Sequence, residues 1–173
     1  PIMDFLTRNA ALYGSELCLT EINMDLQESH NVTWLDYELI VNNPAGEYRL
    51  DMTWKVFNEK ANRMANLLIK RGIKKGDKVA ILLMNCLEWL PIYFGILKSG
   101  AVAVPLNFRY TAEEIKYCLD LSDAVALVFG PEFISRMEDI YKQLPKIKLL
   151  LFAGENRPIF AENMIAWLQL LLG

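Results

Sequence analysis

Lys78-Val79-Ala80-Ile81-Leu82-Leu83 is the first of four short apolar runs spaced along the middle of the chain. Ala101–Leu106, Ala124–Phe129 and Lys148–Phe152 follow, their first residues 23, 23 and 24 positions apart. Side chains on both alternating faces are apolar, the pattern of strands buried on both sides. Each interval carries helix-period sequence long enough for a crossover, and such crossovers are right-handed. The fold class is α/β: a three-layer parallel sheet with helices on both faces.

The intervening helices have readable ends. Thr53 stands as N-cap before Val56, Phe57, Met64, Leu67 and Leu68, which recur at helical spacing, and Gly72 lies just past the end. This predicts a helix of about five turns. Asn85-x-x-Glu88 and Thr111-x-x-Glu114 both fit the capping box, and Pro131 suits a first helical turn. Pro91 conflicts with a helix starting at Cys86, so a kink or a later start is expected there.

A small β-rich segment precedes this core. Leu17–Ile22, Val32–Trp34 and Tyr37–Val41 alternate in hydropathy and are broken by the turn-rich Asn42-Asn43-Pro44-Ala45-Gly46. The chain divides into an opening helix with short strands and an insertion loop (1–52), a parallel α/β subdomain (53–157), and a terminal helix (158–173) read from the run Phe160–Leu172. The Leu-rich terminus implies a missing neighbour, either the remainder of a longer polypeptide or association through exposed apolar surface. Pro1 stands where an initiator Met is expected and is read as a fragment boundary.

The 173 residues are 53% hydrophobic and 23% charged, enough apolar surface for a substantial core. Eighteen basic against 21 acidic residues give a net charge of -3, so no global basic field draws nucleic acid. Three widely spaced cysteines, Cys18, Cys86 and Cys118, form neither a disulfide framework nor a zinc cluster. With no basic and apolar leader at the start, a cytoplasmic location is expected. The run without polar interruption, Trp89–Leu97, has nine residues, about half of what a bilayer crossing needs.

Single motifs offer little chemistry. Gly95-x-x-x-x-Gly100 has phosphate-loop glycine spacing, but Ala101-Val102 replaces the required Lys and Ser/Thr, so Gly100 reads as a helix end. No G-x-G-x-x-G follows any strand. His30 is the only histidine and falls in a polar loop. Glu113 and Glu114 belong to a helix start, and the Asn31-Val32-Thr33 sequon lacks a secretory leader. Lys70, Arg71, Lys74, Lys75 and Lys78 match the negative end of a helix dipole. The residues alone assemble no catalytic constellation and no metal site.

Several segments, in order, resemble one family. Thr53-Trp54-Lys55-Val56-Phe57 is similar to a T-[YW]-x-x-[LF] helix start, and Arg71-Gly72-Ile73-Lys74-Lys75-Gly76-Asp77-Lys78-Val79-Ala80 to R-G-[IV]-x-x-G-D-x-V-A. Asn85-Cys86-Leu87-Glu88-Trp89 is similar to N-x-x-E-[FW], and Leu97-Lys98-Ser99-Gly100-Ala101 through Pro105-Leu106-Asn107 to L-K-x-G-A-x-x-x-P-[LI]-[ND]. Together they resemble the N-terminal part of the AMP-forming acyl-CoA synthetases, the adenylate-forming superfamily that includes luciferases and peptide-synthetase adenylation domains. The resemblance covers roughly residues 1–158, with 25–50 as an insertion.

That resemblance implies a reaction in which a carboxylate attacks ATP to give an acyl-adenylate and pyrophosphate, after which coenzyme A displaces AMP. ATP, Mg2+ and coenzyme A are the implied cofactors, and a fatty or aromatic carboxylic acid the implied substrate. The family's Ser/Thr/Gly-rich phosphate loop, its ribose-binding aspartate and its C-terminal lysine are absent from this sequence, so the chain alone is expected to be inactive. Arg109 matches the arginine that faces coenzyme A phosphates in some members. An adenylation domain that loads amino acids onto a carrier protein shares the same scaffold, and a non-catalytic α/β interaction module is the third alternative.

Overall fold

The computed structural model describes residues 2–22, 33–35, 38–40, 49–154 and 165–167. In chain order, helix α1 (Ile2–Leu12) is followed by strands β1 (Leu17–Ile22), β2 (Thr33–Leu35), β3 (Glu38–Ile40) and β4 (Arg49–Thr53). Then come α2 (Trp54–Lys70), β5 (Lys78–Leu82), α3 (Trp89–Lys98), β6 (Val102–Pro105), α4 (Ala112–Ser122) and β7 (Ala124–Phe129). Helix α5 (Ile134–Ile140), β8 (Leu149–Phe152) and β9 (Ile165–Trp167) complete the series, with 3-10 turns at Pro131–Phe133 and Tyr141–Gln143.

Local chemistry sets the helix ends where the sequence placed them. The Thr53 side chain accepts from the Val56 N–H at the start of α2. At its end Gly72 takes a φ of 86°, its N–H donates to Ile69, and the Ile73 N–H reaches back to Leu68. Buried Ile73 and Leu68 complete this Schellman closure, whose left-handed residue favours glycine. Thr111 and Glu114 form the reciprocal capping box of α4, and the bound carboxylate of Glu114 is held below the usual range by the Thr111 amide and hydroxyl.

The other proposed box does not form. Helix α3 starts at Trp89, and its N-cap, Glu88, makes no side-chain cap bond. This later start places Pro91 in the first turn, where a missing N–H leaves no intrahelical bond unmade.

The main sheet is parallel throughout, in the order β6-β5-β7-β8-β9. One face packs Val79, Ile81 and Val128 against Met64, Leu68, Ile92 and Ile96 of α2 and α3. The other packs Ala80, Leu82 and Phe129 against Ile115 and Leu119 of α4 and Met137 of α5. Three layers result, as the doubly apolar strands require.

In the N-terminal segment β1 pairs antiparallel with β4, and β2 with β3. Strand β4 has no counterpart in the sequence reading, because only Met52 of its five residues is buried and the run shows almost no alternation. Leu6, Met52, Phe57, Ala61 and Phe94 form a third cluster that seats α1 and β4 on α2 and α3.

The terminal helix read from Phe160–Leu172 is corrected at Ile165–Trp167, which is strand β9 paired with β8. The outer edge of β8 offers unpaired N–H and C=O groups, and pairing with it outweighs a local helical period. The rest of that run lies outside the described residues.

Candidate functional site

The first strand of the sheet, β5, lies between the second, β6, and the third, β7. The chain therefore reverses its direction of travel at the β5–β7 boundary. A crevice opens beyond the carboxyl ends of strands at such a switch point, where α/β folds bind ligands. A cavity of about 330 Å3 occupies that place, lined by Leu83, Asn85, Cys86 and Glu88 after β5 and by Gly130 and Glu132 after β7. A second cavity, about 260 Å3, shares Glu21, Asn85 and Cys86 with it and extends along β1.

Glu21 joins the two parts of the chain here. Its Oε2 accepts from the Leu87 N–H at 2.8 Å, fixing the β1–β4 pair to the loop ahead of α3. Burial, then the neighbouring Glu88 carboxylate, pushes the Cys86 thiol up to about 12 from an ordinary 9.0, against an opposing pull from the Glu88 and Trp89 amides. Cys86 is therefore a neutral thiol at physiological pH, and neutral thiols are neither good nucleophiles nor good metal ligands. At pH 8, iodoacetamide should alkylate Cys86 more slowly than Cys118 in the folded protein, as read by peptide mass spectrometry. Equal rates at the two would refute this reading of Cys86. The sign for stability follows: between pH 9 and about 12 the unfolded chain releases a proton that the folded chain keeps, so stability falls across that window.

Glu21, Glu88 and Glu132 give the crevice an acidic wall, and no Lys or Arg stands among the described residues that line either cavity. A triphosphate does not fit such a wall, since like charges at close range repel in a partly desolvated site. Nor do the described residues bring together three His, Cys, Asp or Glu side chains that could hold a metal ion. The phosphate-stabilising groups are thus not supplied by this crevice.

Arg109 lies at the same edge of the sheet, on the loop after β6, and is exposed, outside both cavities. Its N–H donates to Asn107 Oδ1 at 2.9 Å, and its guanidinium lies 5.5 Å from the centre of the Phe108 ring. An exposed, always-charged fork at a strand's carboxyl end can accept a phosphate.

The structure disperses the remaining candidates. Lys78 opens β5, so the basic cluster at the end of α2 sits at the amino edge, away from the crevice. Gly95 is interior to α3, and Gly100, with φ 83°, closes that helix. Glu114 caps α4. His30, Asn31 and Val32 lie outside the described residues. Cys18, Cys86 and Cys118 are free. No helix among the described residues is long and apolar enough to cross a membrane. Sequence reasoning missed Glu21, Cys86 and Glu132, whose signal is strand order combined with the switch-point rule.

Comparison with known proteins places this scaffold. The family described as AMP-binding enzyme matches residues 29–165. A medium/long-chain-fatty-acid–CoA/3-oxocholest-4-en-26-oate–CoA ligase of Mycobacterium marinum is 40% identical over 105 residues, covering 61% of this chain and 19% of that protein. A crotonobetaine/carnitine–CoA ligase of Citrobacter koseri is 36% identical over 122 residues, 70% of this chain and 23% of that protein. Coronafacic acid ligase from Pectobacterium brasiliense superposes with a TM-score of 0.74 at 19% identity, over 98% of this chain and 28% of the other, a likeness of fold. The chain spans about a fifth of the length of the curated relatives it matches. Because the family match runs from before β2 through the strands β5 to β8 of the parallel sheet and so spans most of the chain, this chain belongs to the AMP-binding enzyme family.

Proposed function

We propose that this chain is the N-terminal part of a cytoplasmic, ATP-dependent acyl-CoA ligase that joins a carboxylic acid, a fatty acid foremost, to coenzyme A with release of AMP and pyrophosphate. The observation that carries the reading is the 40% identity to a fatty-acid–CoA ligase across 105 residues. ATP, with the Mg2+ that its phosphates carry, would be held by later parts of the polypeptide, because the acidic crevice described above repels a triphosphate. Within this chain Arg109 is assigned to a phosphate of the coenzyme A nucleotide. The remainder of the same polypeptide is the main partner, with association of copies through exposed apolar surface as a second contact.

The full-length protein given a medium-chain fatty acid, ATP, Mg2+ and coenzyme A should form the thioester with one AMP and one pyrophosphate. ADP and phosphate as products would overturn the assignment. The 173-residue chain by itself should show no ATP–pyrophosphate exchange above background. In the full-length enzyme, Arg109→Ala should raise KM for coenzyme A about tenfold while leaving kcat nearly unchanged, the loss expected from one charge-assisted contact made equally in ground and transition states. An unchanged KM would remove Arg109 from the site.

A further inference from the structure

The peptide unit joining Phe108 to Arg109 is held at both ends. Its N–H, on Arg109, donates to Asn107 Oδ1 at 2.9 Å, and its carbonyl, on Phe108, accepts from Arg136 Nη1 at 2.8 Å. A peptide unit is planar, so fixing its two polar ends fixes the plane and with it the direction in which the next Cα carries its side chain. The far side of the loop is secured as well. The Tyr110 N–H donates to the Asn107 carbonyl at 3.1 Å, and Thr111 begins the capping box of α4.

Arg136 is itself anchored. Its guanidinium carbon lies 5.4 Å from the centre of the Phe133 ring, and Phe133 is 1% exposed. A guanidinium over an aromatic face is attracted by the ring quadrupole, and its planar fork presents a donor in one direction. The buried ring after β7 thus provides a rigid base from which Arg136 reaches the loop after β6.

We propose that Arg136 is a positioning residue: from α5 it clamps the loop after β6 and so aims the Arg109 guanidinium toward a coenzyme phosphate. The inference rests on the reading of Arg109 given above, yet the clamp has a readout of its own. In the full-length enzyme, Arg136→Ala should speed hydrogen exchange at the Arg109 amide about tenfold. It should also raise KM for coenzyme A about fivefold, with kcat unchanged. Arg136→Lys, which keeps one donor, should recover part of both effects.

Unchanged exchange at the Arg109 amide in Arg136→Ala overturns the clamp. If Arg136 works through Arg109, the double variant should match Arg109→Ala in KM. A double variant with the product of both effects means that Arg136 contacts the coenzyme itself, which also overturns the inference. Accelerated exchange together with an unaffected KM in Arg109→Ala would leave the clamp standing and sink the assignment of Arg109, so the two failures are distinguishable.

Discussion

Gly95→Val should cost about 4 kcal/mol of folding stability, the upper range for overpacking a close helix contact. Gly95 lies in the middle of α3, where α2 crosses. A Cβ built there would stand 2.5 Å from Met64 Cβ, 2.6 Å from Met64 Cγ and 2.9 Å from the Ala61 carbonyl oxygen. A backbone oxygen cannot rotate out of the way, so the helices must separate. Separation would open the cluster in which Met64, Leu68, Ile92 and Ile96 are buried. Gly95→Ala is the sharper test, because alanine is favoured over glycine in a helix by about 1 kcal/mol. We expect Gly95→Ala to destabilise by about 2 kcal/mol despite that preference. Urea unfolding of the full-length protein would report both, and a stabilised Gly95→Ala variant would sink the packing argument.

Gly95 also shows what the sequence could and could not convey. Its spacing to Gly100 offers a phosphate loop, which joins the two glycines in one motif, while the helix-end reading accounts for Gly100 and leaves Gly95 unexplained. The glycines are two devices: Gly100 adopts the left-handed conformation after α3, while Gly95 permits a close approach of helices. A glycine in the middle of an apolar helix is a packing signal on its own, since helix propensity opposes it. The strands from Lys78 to Phe152 were legible because their residues are apolar on both alternating faces and evenly spaced, a pattern that edge strand β6 keeps although its ends are exposed. Strand β4 was not, since its residues are mostly exposed, and β9 was not, since its three residues fall inside a run of helical period and become a strand only by pairing with the edge of β8. The crevice was hidden for a related reason. Glu21 is 66 positions from Leu87, and Gly130 joins Cys86 only once β7 is known to lie beside β5. Local pattern gives the elements, while the site is made by their order in the sheet.

Lys98→Met should cost about 2–3 kcal/mol, the second-largest loss expected, from a side chain that no motif reading marked as more than scaffold. The Lys98 ammonium donates to Asn58 Oδ1 at 2.5 Å, to Asn62 Oδ1 at 2.7 Å and to Thr7 Oγ1 at 3.5 Å. Its three donors therefore join α3 to α2 and, more weakly, to α1. None of these acceptors is a carboxylate, and partial burial lowers the Lys98 pKa, so the three oxygens must offset the cost of drawing the charge out of water. Methionine keeps most of the aliphatic stem but leaves the two asparagine oxygens without their donor, which isolates the polar contribution. Lys98→Arg keeps the charge, but a planar fork is poorly shaped for three converging oxygens, and about 1 kcal/mol of loss is expected. Loosening of α1 should appear separately, as faster proteolytic nicking between residues 2 and 22 in Lys98→Met. Stability of Lys98→Met within about 0.5 kcal/mol of the unaltered protein would mean that the Leu6, Met52 and Phe57 cluster holds the three helices without the ammonium.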